Sequence, residues 1–332
     1  RFPIPRCNNI THTCHEIGLN VAKTIYTTSA KQISEKQAHM QVILHAGAHC
    51  TDDGRLLKTL FKNRAAFQAR GIALPRPRHY RQLLSATVKA LSKRGVGPDS
   101  RMAFLDAIMD IDATEVDRLI LHSENFFCVP KIAFNKGRIY PLAGSRLAYF
   151  THLFPDDEVE LFLSIRNPAT HLPAMYAATP HTQFIEFLDG ADPRDILWSD
   201  LITNIRQQAP NVRITVWCNE DTPMIWGELV REIAGLSANE PIEGGYDLLA
   251  EIMSVEGMTR FKGYLESHPE MTEMQTRRVI SAFLDKFAID DMVEEEFDLD
   301  GWTDPLIEQL TEQYEEDLFM ISRIPGVELL AP

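Results

Sequence analysis

Gln41-Val42-Ile43-Leu44-His45-Ala46-Gly47-Ala48-His49-Cys50-Thr51-Asp52-Asp53-Gly54, with the segment 55–70 behind it, decides the fold class. Val42-Ile43-Leu44 is a short apolar run, and Ala46-Gly47-Ala48 is small and turn-prone. Leu56, Leu57, Leu60, Phe61, Ala65 and Phe67 then recur at near-helical spacing, and Gly71 supplies a stop. Strand, glycine turn and helix therefore follow one another. The same alternation continues downstream: helices are expected over 78–94 and from Ser100 to Asp110, strands over 118–122 and 159–165, a helix over 192–208, a strand over 212–217 and a helix over 223–234. Strands alternating with helices predict an α/β fold, a mainly parallel sheet carrying helices on both faces.

From Gly244 onward the strand signals disappear. Candidate helices cover 256–266, 272–287 and 305–324, and this part of the chain is acidic. The full 332 residues carry 33 Lys and Arg against 47 Asp and Glu, a net charge of -14. Residues 285–332 hold two of the bases and 15 of the acids, so nearly all of the excess sits there. Such a region repels nucleic acid and anionic lipid at low salt, and no nucleic-acid partner is expected. It reads either as a solvated helix face or as a docking surface for a protein partner.

No run approaches the ~18 apolar residues of a membrane-spanning helix. Five scattered cysteines lack both the density of a disulfide scaffold and the CxxC spacing of a zinc site, so the expected compartment is the cytoplasm. No metal is expected, because His45, His49 and Cys50 straddle a strand end and a loop with no periodicity to align them. Residues 1–39 lack helical or strand periodicity and precede the first methionine, Met40. They are expected to form a disordered extension, ahead of an α/β domain over 40–243 and an acidic helical region over 244–332. Cys7, His12, Cys14 and His15 lie in that extension without a second ligand pair.

Two segments fit the geometry of an anion site, where a strand end meets a helix start. The first is the glycine turn after the opening strand. It is not the nucleotide-hydrolase loop GxxxxGK[ST], since Asp53 stands where that motif has lysine. The second is Leu163-Ser164-Ile165-Arg166-Asn167-Pro168, with Arg166 placed either to clamp a phosphate or to make a structural ion pair.

Together these segments resemble the sulfotransferase family, closest to its bacterial branch, in which a loop of the form HxGxHKTGTT follows the first strand and a later strand ends in arginine. His45-Ala46-Gly47-Ala48-His49 matches the front of that loop; Asn63-Arg64-Ala65, Gly71-Ile72, Ser123-Glu124 and Trp217-Cys218-Asn219-Glu220-Asp221 extend the likeness over about residues 41–235. The resemblance implies a P-loop-type three-layer α/β/α fold. It also implies sulfuryl transfer from 3′-phosphoadenosine 5′-phosphosulfate to a hydroxyl or amine acceptor, a small molecule or a glycan. In that scheme Gly47, Ala48, His49, Thr51, Gly54 and Arg55 would hold the 5′-phosphosulfate and Arg166 the 3′-phosphate.

The sequence departs from the family where the chemistry is done. Cys50-Thr51-Asp52-Asp53-Gly54 replaces Lys-Thr-Gly-Thr-Thr, so the lysine that contacts the 5′-phosphate is lost and two carboxylates enter. Ala174 stands where the family has a serine on the 3′-phosphate. Arg55 and Lys58 read either as solvated cations or as neutralising partners for Asp52 and Asp53. A general base must be a His or a carboxylate within hydrogen-bond reach: Glu124 first and His122 second, by position at a strand end, and His171, early in the helix after Arg166, third. The alternative to an enzyme is a sulfotransferase-fold protein that is catalytically inactive and works as a binding or interaction module.

Overall fold

The computed structural model describes residues 40–332 apart from 96, 98, 239, 294 and 296. The expected extension over 1–39, with its Cys7, His12, Cys14 and His15, lies outside the described residues. In chain order the elements are β1 (Gln41–His45), α1 (Arg55–Lys62), α2 (Arg64–Gln68), β2 (Ile72–Ala73), α3 (Pro77–Arg94), α4 (Ser100–Ile108), β3 (Arg118–His122), β4 (Phe134–Asn135), β5 (Arg138–Ile139), α5 (Ala143–Leu153), β6 (Glu158–Ile165), α6 (Pro168–Ala177) and α7 (Phe184–Phe187). There follow α8 (Trp198–Gln208), β7 (Arg213–Cys218), α9 (Thr222–Ala234), α10 (Asp247–Ile252), α11 (Val255–Ser267), α12 (Glu273–Phe287), α13 (Asp290–Val293), α14 (Asp304–Ile321) and β8 (Val327–Leu330).

Among the described residues six strands form one sheet in the order β2-β3-β1-β6-β7-β8, every pairing parallel. Successive side chains on a strand face opposite ways, and each strand feeds two cores accordingly. Val42, Leu44, Leu119, Leu121, Leu161 and Leu163 enter one core, which α3, α4, α5, α6, α8 and α14 cover. Ile43, Ile120, Phe162 and Trp217 enter the other, under α1 and α9–α12. Burial on both faces explains why the strands read as unbroken apolar runs rather than as alternating ones.

The acidic region is helical as its periodicity predicts, except for Val327–Leu330, which adds a sixth strand beside β7. The helical run expected over 55–70 is divided at Asn63, whose side-chain amide donates to the carbonyls of Thr59 and Glu243 at 3.0 and 2.9 Å. Among the described residues no helix is long and apolar enough to cross a membrane.

Strand order positions the site. From β1 the chain moves outward to β2 and returns through β3; it then crosses to the other side of β1 and proceeds through β6, β7 and β8. The connections reverse direction between β1 and β6, and a crevice outside the carboxyl ends of strands at such a reversal is where open α/β sheets hold ligands.

Candidate functional site

The loop after β1 continues along β6 beyond the last paired residue. Ala46 and Ala48 donate to the carbonyls of Phe162 and Ser164 at 3.2 and 2.8 Å, and Ser164 donates to the carbonyl of Gly47 at 2.8 Å. Gly47 has φ +107°, and a Cβ there would stand 3.3 Å from the His49 nitrogen and 3.5 Å from the Glu124 carbonyl oxygen. The positive φ is what favours glycine here, since the turn after β3 lies at ordinary contact distance. The two segments singled out in the sequence therefore meet at one edge of the sheet.

The turn into α1 is built from left-handed residues, Cys50, Asp53 and Gly54, with φ of 57°, 48° and 75°. Asp52 closes it. Its carboxylate accepts the N–H groups of Gly54 at 3.0 Å and Leu56 at 3.1 Å, and its carbonyl accepts that of Arg55 at 2.9 Å. Burial works against the charge on Asp52, but His45, His122 and these N–H bonds outweigh it and hold the carboxyl below its usual range. Thr51 spends its hydroxyl on the Ala48 carbonyl, 2.8 Å away. Asp53 points outward to Arg55, which also binds Glu251 at 2.8 Å. Arg55 thus neutralises Asp53, and Asp52 is satisfied by backbone.

The backbone donors of this turn divide. The N–H groups of Ala46, Ala48, His49, Gly54, Arg55 and Leu56 have partners within the chain, whereas among the described residues those of Gly47, Cys50, Thr51, Asp52 and Asp53 have none. An incoming phosphate would have to displace a bond at the first set.

Arg166 follows β6 directly. Asn167 caps α6 by accepting the Ala169 N–H at 2.9 Å, and Pro168 occupies the first helical position, so the turn is fixed by two adjacent residues. The Arg166 side chain is buried; its Nε donates to Thr170 Oγ1 at 3.0 Å, its Nη1 to the Cys50 carbonyl at 2.6 Å, and its Nη2 to the carboxylate of Glu295. The Cys50 thiol beside it is raised by burial and by carboxylates, with Arg166 opposing, so it stays protonated at neutral pH.

The histidines are structural parts of this edge. His49 Nε2 donates to Asn125 Oδ1 at 3.1 Å, which leaves Nδ1 to accept the Tyr140 hydroxyl at 2.7 Å. His45 and His122, aligned by the β1–β3 register, share a 2.7 Å bond between their Nδ1 atoms. Burial, and then the neighbouring His45, lowers His122 to about 3. Both are 1 % exposed, and among the described residues their Nε2 atoms and the Ser164 hydroxyl have no hydrogen-bond partner. His171 donates through Nε2 to the His49 carbonyl at 3.1 Å, and burial holds it at about 3 as well.

Glu124 is different. Its half-exposed side chain lies 3.7 Å from Arg81, whose Nε donates to the His122 carbonyl at 3.1 Å. Of the three base candidates Glu124 alone has a side chain open to an acceptor. Ala174 sits on α6, where its methyl supplies no hydrogen-bonding group.

The largest described cavity, about 600 Å³, lies elsewhere, between α9 and α10–α12, lined by Trp226, Tyr246 and Met258 among others. Two of its cations are paired, Arg231 with Glu273 and Arg277 with Glu228, and Lys262 lines it as well. Among the described residues no group of three His, Cys, Asp or Glu side chains is placed to share a metal ion.

These features define an α/β protein with a parallel sheet, at whose strand ends Asp52 meets the N–H groups of Gly54 and Leu56 and Glu295 meets Arg166. No protein-family model and no curated protein matches the chain.

Proposed function

We propose that this chain is a sulfotransferase-like α/β protein that keeps the strand-end framework without sulfuryl transfer and serves as a binding or interaction module. One observation carries the reading: the chain's own carboxylates take donors at both expected anion positions, Asp52 the N–H groups of Gly54 and Leu56, and Glu295 the Arg166 guanidinium. A phosphosulfate entering the loop lies beside like charges. At ~5 Å and an effective dielectric of ~20, each such contact costs about 3 kcal/mol before screening. A neutral Cys50 supplies nothing to offset it. The acidic helices of the C-terminal region are then the surface offered to a protein partner.

Sulfuryl transfer from 3′-phosphoadenosine 5′-phosphosulfate to a hydroxyl or amine acceptor is the second reading, and the position of Glu124 favours it. A half-exposed carboxylate beside the glycine turn, oriented by Arg81, suits a general base.

Calorimetric titration with adenosine 3′,5′-bisphosphate separates the two. The module reading expects no binding tighter than millimolar, and micromolar binding to emerge in a Cys50→Lys, Asp52→Gly variant. Micromolar binding by the unmodified chain, weakened in Arg166→Ala, overturns it in favour of transfer.

A further inference from the structure

The two partners in the Arg166–Glu295 pair are held in different ways. Two of the three described guanidinium bonds go to fixed scaffold: Thr170 on the first turn of α6 and the backbone of the Cys50 turn. They set the plane of the group and aim Nη2 outward. The arginine side chain is 7 % exposed, whereas that of Glu295 is 49 % exposed. Glu295 belongs to a connection pinned at either end. Ile289 donates to the Ile252 carbonyl at 2.8 Å, and the Trp302 indole donates to the Ala169 carbonyl at 2.9 Å. Between those anchors, α13 is a single short turn with no buried residue.

A second described carboxylate near Arg166 is not free to play the same part. Glu220 accepts the Asn167 N–H at 2.8 Å and the Tyr314 hydroxyl at 3.2 Å. Among the described residues a preorganised cation thus faces one surface-borne anion. A guanidinium presents its donors to the oxygens of carboxylate, phosphate and sulfate alike.

We propose that Glu295 is a tethered competitor: its carboxylate takes the position on Arg166 Nη2 that a phosphoryl or sulfuryl oxygen of a small ligand takes when bound, so that oxyanion binding and undocking of Glu295 are linked. The inference rests on the module reading and adds that the Arg166 half of the site is reversibly, not permanently, filled. Asp52 is part of the turn into α1; Glu295 lies 129 residues away from its partner. The apparent affinity for an oxyanion scales with the fraction of molecules in which the competitor is off, so removing its charge raises that affinity.

The experiment titrates the full chain and Glu295→Gln with inorganic phosphate and inorganic sulfate by calorimetry, and follows amide hydrogen exchange over 289–302 with and without the anion. Glu295→Gln is expected to bind at least about tenfold more tightly than the unmodified chain. That gain disappears in the Glu295→Gln, Arg166→Ala double variant, and saturating anion speeds exchange over 289–302 in the unmodified chain. Equal affinities in the first two proteins, or anion binding that leaves the exchange unchanged, overturns the inference. Either result leaves the module reading standing, since that reading falls only to micromolar bisphosphate binding by the unmodified chain.

Discussion

His171 offers a direct test of how this edge is held, because a buried neutral imidazole couples folding to pH. It is 1 % exposed, packs 5.1 Å from the Trp198 ring and donates to the His49 carbonyl. Burial first, and the neighbouring Arg166 second, lower it from 6.5 to about 3. In the unfolded chain the same imidazole takes up a proton below 6.5. The unfolded state then binds more protons than the folded one, so stability is full above that pH and falls as the solution is acidified. The loss runs at about 1.4 kcal/mol per pH unit for one proton and ends where the folded form protonates too. Between pH 6.5 and about 5, His171 alone thus removes about 2 kcal/mol. Urea unfolding of the unmodified chain and of His171→Gln, at several pH values across that window, reads it out. The glutamine retains a donor for the His49 carbonyl and cannot titrate, so the stability of the variant falls about 2 kcal/mol less over the window. Parallel pH dependences for the two proteins refute the assignment of a neutral, buried His171.

Asp157→Ala breaks the paired bonds from Arg101 at 2.6 and 2.9 Å and the bond from the Met40 N–H at 3.1 Å. With the Asp157 side chain fully buried, the change is expected to destabilise by about 3 kcal/mol, read as a lower denaturant midpoint. At Gly257 helix propensity alone favours alanine by about 1 kcal/mol. A Cβ there would lie 2.4 Å from the Cβ of Phe287 on α12, so Gly257→Ala is expected to lower the melting temperature; a higher one contradicts the α11–α12 packing. Alkylation of Cys50 at neutral pH is expected to be several-fold slower than that of an unstructured peptide thiol, because burial raises its pKa, and mass mapping of the labelled peptide checks this.

Much of the architecture is legible in short runs. Val42-Ile43-Leu44, the strand 118–122 and the strand ending at Ile165 are apolar on consecutive residues because both faces of the sheet are covered, and helix spacing between them names the fold class. β8 is not legible this way. Val327-Glu328-Leu329-Leu330 is a four-residue strand, too short for its apolar run to stand out although all but Glu328 pack against the two cores. Its pairing comes from the tertiary fold. The site divides along the same line. Position at a strand end marks Gly47, Glu124 and Arg166, and the structure brings all three to one edge.

Register and long-range pairing are beyond local pattern. His45 meets His122 because β1 and β3 align them, and Glu295 meets Arg166 across 129 residues of chain. Asp52 and Asp53 look equivalent in sequence as two anions in a phosphate loop. Backbone geometry separates them: one turns in to cap α1 and the other turns out to Arg55. The signal available beforehand was modest, a carboxylate just ahead of a helix, which is the composition of a cap as well as of a blocked cradle.

Placing β8 at the rim of the sheet has a consequence for biosynthesis. Its partner β7 is made about a hundred residues earlier, yet the outer backbone groups of β7 stay unsatisfied until Val327–Leu330 has left the ribosome and folded back through α14. A nascent chain halted before that point exposes a naked parallel edge flanked by apolar side chains, the kind of surface on which chains cross-pair and on which chaperones act.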